Sequence, residues 1–305
     1  MSGVLTGFSV IGVVILVGYL LERGGTLGPG AATMLSRVSF TVATPALLFD
    51  TLSTADLSVV FSPTLVVLAG AALLSGAVFA VAGAVRGWGV GRTTIGALGA
   101  SLANAGNLGI PIAAYVLGDA GAVAPLLLFQ LLLLGPLGLT VLDLARSGGG
   151  ASVWSRVLTP FRNPVLLSSV AGLVVSATGW SMPAMLLEPI KLIGGLAVPA
   201  VLLAYGMTLR GRPMPGRGPE RGPVLLAVSL KLVFAPAVAL ALGLALGLDR
   251  PELLAAVVLT ALPSAQNLLT YALTYEAGVE LARETITLTT VLSVPVVFAV
   301  AALLG

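Results

Sequence analysis

The chain contains neither cysteine nor histidine, and few of its 305 residues carry a charge. Without cysteine it has no disulfide, no thiolate nucleophile and no cysteine-ligated metal, and without histidine it lacks the commonest general base and metal ligand. These absences argue against an enzyme and against a bound metal or other cofactor. Charged residues make up only 9% of the sequence, which is too few to cover the surface of a soluble domain of this length.

Apolar residues form 57% of the chain, and the mean hydropathy is +1.09. The apolar runs are unbroken over lengths that cross a bilayer as helices, whereas a membrane barrel shows short alternating strands. Residues 4–21 follow no basic region and precede no clear cleavage site, so we expect a retained span there. The sequence therefore predicts an all-α polytopic membrane protein. Its ten spans are drawn at residues 4–21, 34–52, 64–85, 95–117, 122–145, 163–180, 189–209, 223–247, 252–275 and 284–304.

A basic, glycine-rich stretch at residues 146–162 separates the fifth span from the sixth. Such a composition is typical of a linker. It divides the chain into two five-span halves, residues 1–145 and 163–305, which we expect to form one membrane domain.

The basic residues are distributed unevenly over the loops between the spans. Loops after even-numbered spans hold only Lys191 and Arg250, and Lys231 lies inside the eighth span. Under the positive-inside rule, the basic loops face the cytoplasm and both termini lie outside the plasma (inner) membrane. Five spans per half then give the halves opposite orientations, as in inverted repeats. The loops after odd-numbered spans carry Arg23, Arg37, Arg86, Arg92, Arg146, Arg156, Arg162, Arg210, Arg212, Arg217, Arg221 and Arg283.

Two apolar spans are interrupted by polar residues, glycine and proline. The fourth span contains Asn-Ala-Gly-Asn-Leu-Gly-Ile-Pro at residues 104–111, and the ninth contains Ala-Leu-Pro-Ser-Ala-Gln-Asn at residues 261–267. Unpaired backbone groups at this depth are tolerated only in a packed or water-lined cavity. Pro111 and Pro263 are 152 residues apart, close to the 154 that separate the Pro-Ala motifs at Pro45 and Pro199. Chance recurrence of Pro and Ala in an apolar chain remains an alternative for the second match.

Matched interruptions in two halves are typical of a transporter's binding site. We expect Pro111 to begin a new half-helix, whose free N–H groups and positive dipole end favour an anion. The alternative is that the amides only tie kinked helices together. The candidate substrate-binding residues are Asn104, Asn107, Gly109, Pro111, Pro263, Ser264, Gln266 and Asn267.

Three further residues are candidates for supporting or ion-binding roles: Gln130, Lys231 and Tyr271. Gln130 either braces the first break or helps to bind an ion. Lys231 either attracts an anion or extends its ammonium along the span towards the cytoplasm, and the second interpretation is slightly favoured. No carboxylate occurs at the centre of a span, so the sequence gives no direct sign of proton coupling. Na⁺, H⁺ and uncoupled transport all remain open.

Five motifs lie in the same order as in a known family: Pro-Ala-Leu-Leu-Phe at residues 45–49, the stretch 104–111, Asn163-Pro164, Pro-Ala-Val-Leu-Leu at 199–203, and Pro-Ser-Ala-Gln-Asn at 263–267. With them the chain resembles the auxin efflux carrier family, the bacterial relatives of plant PIN carriers. The resemblance implies two inverted five-helix repeats, with spans four and nine crossing at prolines, a fold shared with bile acid:sodium symporters. It also implies that Asn104 and Asn267 lie near the substrate.

Family substrates are small organic anions, either auxin or malate- and malonate-like carboxylates. The expected function is therefore secondary transport of a small organic acid anion by alternating access at a midplane crossover. The alternative is a sodium-coupled symporter of the bile acid carrier type with a different organic substrate. The expected partners are this anion and the lipid bilayer. Nucleic acid is not expected, because the arginines are scattered without interleaved aromatic residues; a homodimer and a packed single chain both remain open.

Overall fold

A computed structural model describes residues 2–25, 27–28, 30–54, 63–147, 164–207 and 220–305. All regular secondary structure within these ranges is helical. The helices, numbered in chain order, are α1 Ser2–Gly24, α2 Ala31–Ser53, α3 Pro63–Val85, α4 Val90–Ser101, α5 Ala105–Leu117, α6 Ala120–Ala145, α7 Pro164–Thr178, α8 Ala184–Met207, α9 Arg221–Ala245, α10 Arg250–Thr260, α11 Asn267–Thr274 and α12 Val279–Leu304.

Six of these helices are long and apolar enough to cross a bilayer: α2, α3, α6, α8, α9 and α12. Many of their large apolar side chains are exposed to the surroundings, including Val66 and Val81 of α3. Exposed apolar side chains at this density require a lipid environment. The predicted all-α, multi-pass class is confirmed, while the arrangement as ten helices in inverted repeats stays a prediction.

The chain divides into two compact units. Unit 1 contains α1, α2, α7, α8 and α5 from Gly106 onward. In this unit α1 packs closely on α8, because a Cβ at Gly18 would overlap the carbonyl oxygen of Leu203, and one at Gly206 would overlap that of Ile15. Glycine at these two positions lets the helix backbones approach, as is common where membrane helices pack.

Unit 2 contains α3, α4, α9 to α12 and α6 from Pro125 onward. Its core includes Phe79, Leu68, Leu259 and Leu262, all at most 1% exposed. Arg92 at the start of α4 donates to Glu220 at 2.7 Å and lies 5.4 Å from the centre of the Trp88 ring. Apolar packing in the interior and polar contacts at the helix ends thus fix the position of α4.

Helices α3 and α9 end in the same way within unit 2. Gly87 and Gly247, 160 residues apart, both have positive φ. The N–H of Trp88 donates to Gly83 and the N–H of Leu248 donates to Gly243, at 3.0 and 2.9 Å. These are helix ends in which a left-handed glycine reverses the chain. Each is followed by a short helix, α4 or α10.

Four prolines inside helices follow wider turns. A proline cannot donate to the carbonyl four residues before it and its ring crowds that carbonyl, whereas a π-helical turn spaces the backbone more widely. Four π-helical turns are each centred on the residue four positions before a proline: Ser39–Ala43 before Pro45, Ala105–Gly109 before Pro111, Gln130–Leu134 before Pro136, and Leu230–Phe234 before Pro236.

Candidate functional site

The centre of unit 2 is a crossover of two extended backbone segments. Helix α4 ends at Ser101 and α10 ends at Thr260. Beyond these ends, the N–H of Asn104 donates to the carbonyl of Pro263 at 2.8 Å, and the N–H of Ala265 donates to that of Leu102 at 3.1 Å. The two segments therefore form a short antiparallel bridge. The bridge pairs backbone N–H and carbonyl groups that have no partner within α4 or α10. Buried backbone groups require such partners.

Side chains complete the pairing at the crossover. Gln130 accepts a hydrogen bond from the N–H of Ala103 at 2.6 Å. The hydroxyl of Ser264 donates to the carbonyl of Gly99 at 2.6 Å, and its N–H donates to Thr289 at 3.1 Å. Gln130, Ser264 and Thr289 are all buried. This hydrogen bond to Ala103 is the contact expected if Gln130 braces the first break.

The two breaks differ from the sequence expectation in where they fall. Pro263 lies in the crossover, but Pro111 lies inside α5, which begins at Ala105. The π-helical turn at Ala105–Gly109 accommodates Pro111 within α5. Pro111 therefore does not begin the half-helix that follows the break. The bridge pairs Ala103 with Ser264, which are 161 residues apart. The expectation that Pro111 and Pro263 take corresponding positions in the backbone, 152 residues apart, is therefore wrong. The expectation that span four crosses span nine at a proline is also wrong, because span four crosses at Ala103.

The two candidate asparagines of unit 2 have different surroundings. Asn104 is 4% exposed, and its backbone N–H is part of the bridge. Asn267 is exposed, begins α11 and donates through Nδ2 to the hydroxyl of Tyr271 at 3.1 Å. Gln266 and Tyr271 are half-buried. The side chain of Asn267 is thus accessible, whereas that of Asn104 is covered.

Three of the candidate residues belong to unit 1. Gly109 and Pro111 are buried and Asn107 is half-buried. Asn107 and Pro111 line a small recess together with Val198 and Val201 of α8. The recess encloses no water-sized space in this structure. Asn107 and Pro111 thus lie beside α8 in unit 1, and a role of these three residues in substrate binding stays a prediction.

Lys231 is buried in unit 2, where only 2% of its surface is exposed. Its ammonium donates to the carbonyl oxygen of Thr260 at 3.1 Å. The side chain is thus directed at the end of α10, inside the packed unit. The interpretation that Lys231 extends to the aqueous surface is wrong, because the neighbouring helix end supplies an acceptor at close range.

A family model described as membrane transport protein matches residues 7–139 and 152–300. The chain belongs to this membrane transport protein family. The resemblance to auxin efflux carriers is thereby confirmed, since this is the family in which those carriers are grouped.

Two curated relatives of this transporter are also named as transporters. A protein named "Uncharacterized transporter" from Methanothermobacter thermautotrophicus is 28% identical over 300 residues, covering 96% of this chain and 95% of the relative. A "Putative malonate transporter" from Rhizobium meliloti is 28% identical over 226 residues, covering 72% of this chain and 70% of the relative. The chain is accordingly a membrane transporter and not an enzyme.

Sequence reasoning missed a hydroxyl-bearing face of α12 in this transporter. Thr285, Thr289 and Ser293 are all buried, and Thr289 contacts the crossover. Their spacing of four residues was visible in the sequence and indicates one face of a helix. Glu284 was also missed: α12 begins at Val279, earlier than expected, so this buried carboxylate lies within a helix of membrane-spanning length.

Proposed function

We propose that this transporter is a secondary carrier of small organic acid anions that works by alternating access at the crossover. The observation that carries the proposal is the crossover of two interrupted helices within unit 2, at Leu102–Asn104 and Pro263–Ala265. Discontinuous helices of this kind build the substrate sites of many secondary transporters. The relative named as a malonate transporter favours a dicarboxylate of similar size.

The residues that would bind the anion are Asn104 and Asn267. Asn267 opens α11, where the positive end of the helix dipole and the N–H groups of the first turn favour a carboxylate. Asn104 would join it after a local movement that uncovers its side chain. Ser264, Gln130 and Gln266 would hold the segments around this position, and Pro263 would keep the ninth span open.

The membrane arrangement belongs to the same proposal. If α4 and α5 together make one crossing, and α10 and α11 another, the helices provide ten spans. The basic loops then face the cytoplasm and both termini face outward. The five-span halves would be inverted repeats. The recurrence of the left-handed glycine ends and the bridge positions at spacings of 160 and 161 residues supports this.

Uptake into liposomes tests the proposal. Purified protein would be reconstituted and supplied with labelled malonate, malate, 2-oxoglutarate or indole-3-acetate, with sodium and proton gradients imposed separately. We expect saturable uptake of one acid. Uptake that requires the sodium gradient would support the sodium-coupled alternative, and no saturable uptake of any acid would contradict the organic-anion assignment.

The variant Asn104→Ala tests the assigned site. Loss of a hydrogen bond to a charged group costs about 1.5–3 kcal/mol, so we expect affinity to fall by about 10- to 100-fold. The control is Thr94→Ala, which removes a surface hydroxyl on α4 and should transport normally. Equal uptake by Asn104→Ala and the wild type, or a loss that only follows reduced folding, would overturn the site.

A further inference from the structure

We propose that the side-chain nitrogen of Lys231 occupies the position at the end of α10 where a coupling cation would otherwise bind. Transport would then need no sodium ion at this end of the crossover. The inference rests on the proposed function, because it concerns how that carrier is coupled.

Lys231 lies beside the carbonyl end of α10. It lies in the π-helical turn Leu230–Phe234 of α9, next to the carbonyl of Thr260, with Nζ 3.1 Å from the oxygen. Within the part of the chain that the structure describes, no carboxylate lies within ion-pair distance of this ammonium. A buried cation is costly without compensation, and the acceptor observed for Nζ is the carbonyl of Thr260 at the end of α10.

The carbonyl end of α10 has a partial negative charge. Thr260 is the last residue of α10, so its carbonyl lies at the negative end of the helix dipole. In transporters with interrupted helices, the carbonyl ends of half-helices are among the groups that coordinate coupling ions. Here the protein's own Lys231 Nζ contacts that end, and a covalently attached group does not dissociate during the transport cycle.

The other half of the crossover shows that the arrangement is specific to α10. Helix α4 ends at Ser101, and nearby the carbonyl of Gly99 accepts from the neutral hydroxyl of Ser264. The position 160 residues before Lys231 is Ala71, a fully buried apolar residue of α3. The cation is therefore provided at one of two related helix ends, as expected of an ion position and not of general packing.

Thermal unfolding of the purified full-length protein in detergent tests the inference without any organic substrate. Each variant would be measured in NaCl and in choline chloride at the same concentration, so that only the small cation differs. Lys231→Ala and Lys231→Ser both remove the ammonium and leave space beside Thr260. The matched control is Lys191→Ala, since Lys191 is an exposed lysine paired with Glu188.

We expect sodium to raise the Tm of Lys231→Ala and Lys231→Ser by about 2 °C or more relative to choline, because ion binding stabilises the folded state. The wild type and Lys191→Ala should show no such increment. Equal increments in all four proteins, whether zero or positive, would overturn the inference. Since the readout involves no organic anion, failure of the uptake experiment would leave the inference unaffected.

Discussion

At the scale of single residues, the hydroxyl of Ser264 joins the two interrupted helices. It donates to Gly99 at 2.6 Å and is fully buried. Ser264→Ala would leave the carbonyl of Gly99 without this donor, and an unsatisfied buried acceptor costs about 1–3 kcal/mol. We expect a corresponding loss of stability, seen as a lower Tm in thermal unfolding of the purified protein.

The control for Ser264→Ala is Thr94→Ala. Thr94 also donates its hydroxyl to a backbone carbonyl, that of Val90 at 2.8 Å, but at the surface of α4. A surface substitution of this kind changes stability by about 0.5 kcal/mol or less. If the two variants lost the same stability, the hydroxyl of Ser264 would have no special role at the crossover.

The polar residues of the crossover could be predicted because of where they lie in the sequence. An amide or hydroxyl inside an apolar span must have a partner, and this argument identifies Asn104, Ser264 and Gln130. It does not identify the partner. Lys231 was assigned the wrong direction because a long side chain can turn either towards water or towards a buried acceptor, and only the packing of α9 against the end of α10 decides between them.

At the scale of helices, prolines predict that a hydrogen bond is lost but not how the helix responds. Pro263 lies where the backbone leaves the helix, whereas Pro111 lies in a helix that widens by one π-helical turn. The backbone after Pro263 contacts neighbours distant in the sequence, such as Thr289, which accepts from Ser264. Helix boundaries at the two breaks therefore could not be derived from local sequence.

The contact between α1 and α8 makes an element-level prediction. A Cβ at Gly18 would overlap the carbonyl of Leu203, whereas one at Gly12, on the same helix, would have nothing within 4 Å. Alanine is intrinsically better than glycine in a helix by roughly 0.5–1 kcal/mol. Overpacking costs about 1–3 kcal/mol, so it outweighs this gain at Gly18 only.

We therefore expect Gly18→Ala to lower the Tm and Gly12→Ala to leave it unchanged or raise it. Gly206→Ala should behave like Gly18→Ala, because its Cβ would overlap the carbonyl of Ile15. Thermal unfolding of the three variants in the same detergent measures both effects. Effects of the same sign at Gly12 and Gly18 would contradict close backbone packing of α1 on α8.

At the scale of the whole molecule, the sequence predicts two related halves, which stays a prediction, and it does not give the spacing between corresponding positions. The prolines at a spacing of 152 were conspicuous in the sequence, whereas the features that recur in space are Gly87 with Gly247 and Ala103 with Ser264. Glycines are frequent in this chain, and left-handed ones are recognised only from their φ angles. The composition of the two units also could not be read from the sequence, because each collects helices from both halves.

The orientation of the chain gives the last prediction. Since the sequence contains no cysteine, a single introduced cysteine can be labelled without background. Val90 is 59% exposed and is the first residue of α4, directly after a loop expected in the cytoplasm. Ser181 is also exposed and lies in a loop expected outside. On intact cells, a membrane-impermeant maleimide should label Ser181→Cys and not Val90→Cys, and after permeabilisation it should label both.

The pair also tests whether the interrupted helix crosses the membrane. Three expected crossings separate Val90 from Ser181, namely α4 with α5, then α6, then α7 with its flanking residues, and an odd number places the two positions on opposite sides. The reverse labelling pattern would keep this number but invert the orientation derived from the basic loops. Labelling of both positions on the same side would mean that one of the three segments does not cross. If that segment is α4 with α5, or α6, opposite orientation of the two halves would be excluded, because it depends on five crossings in the first half.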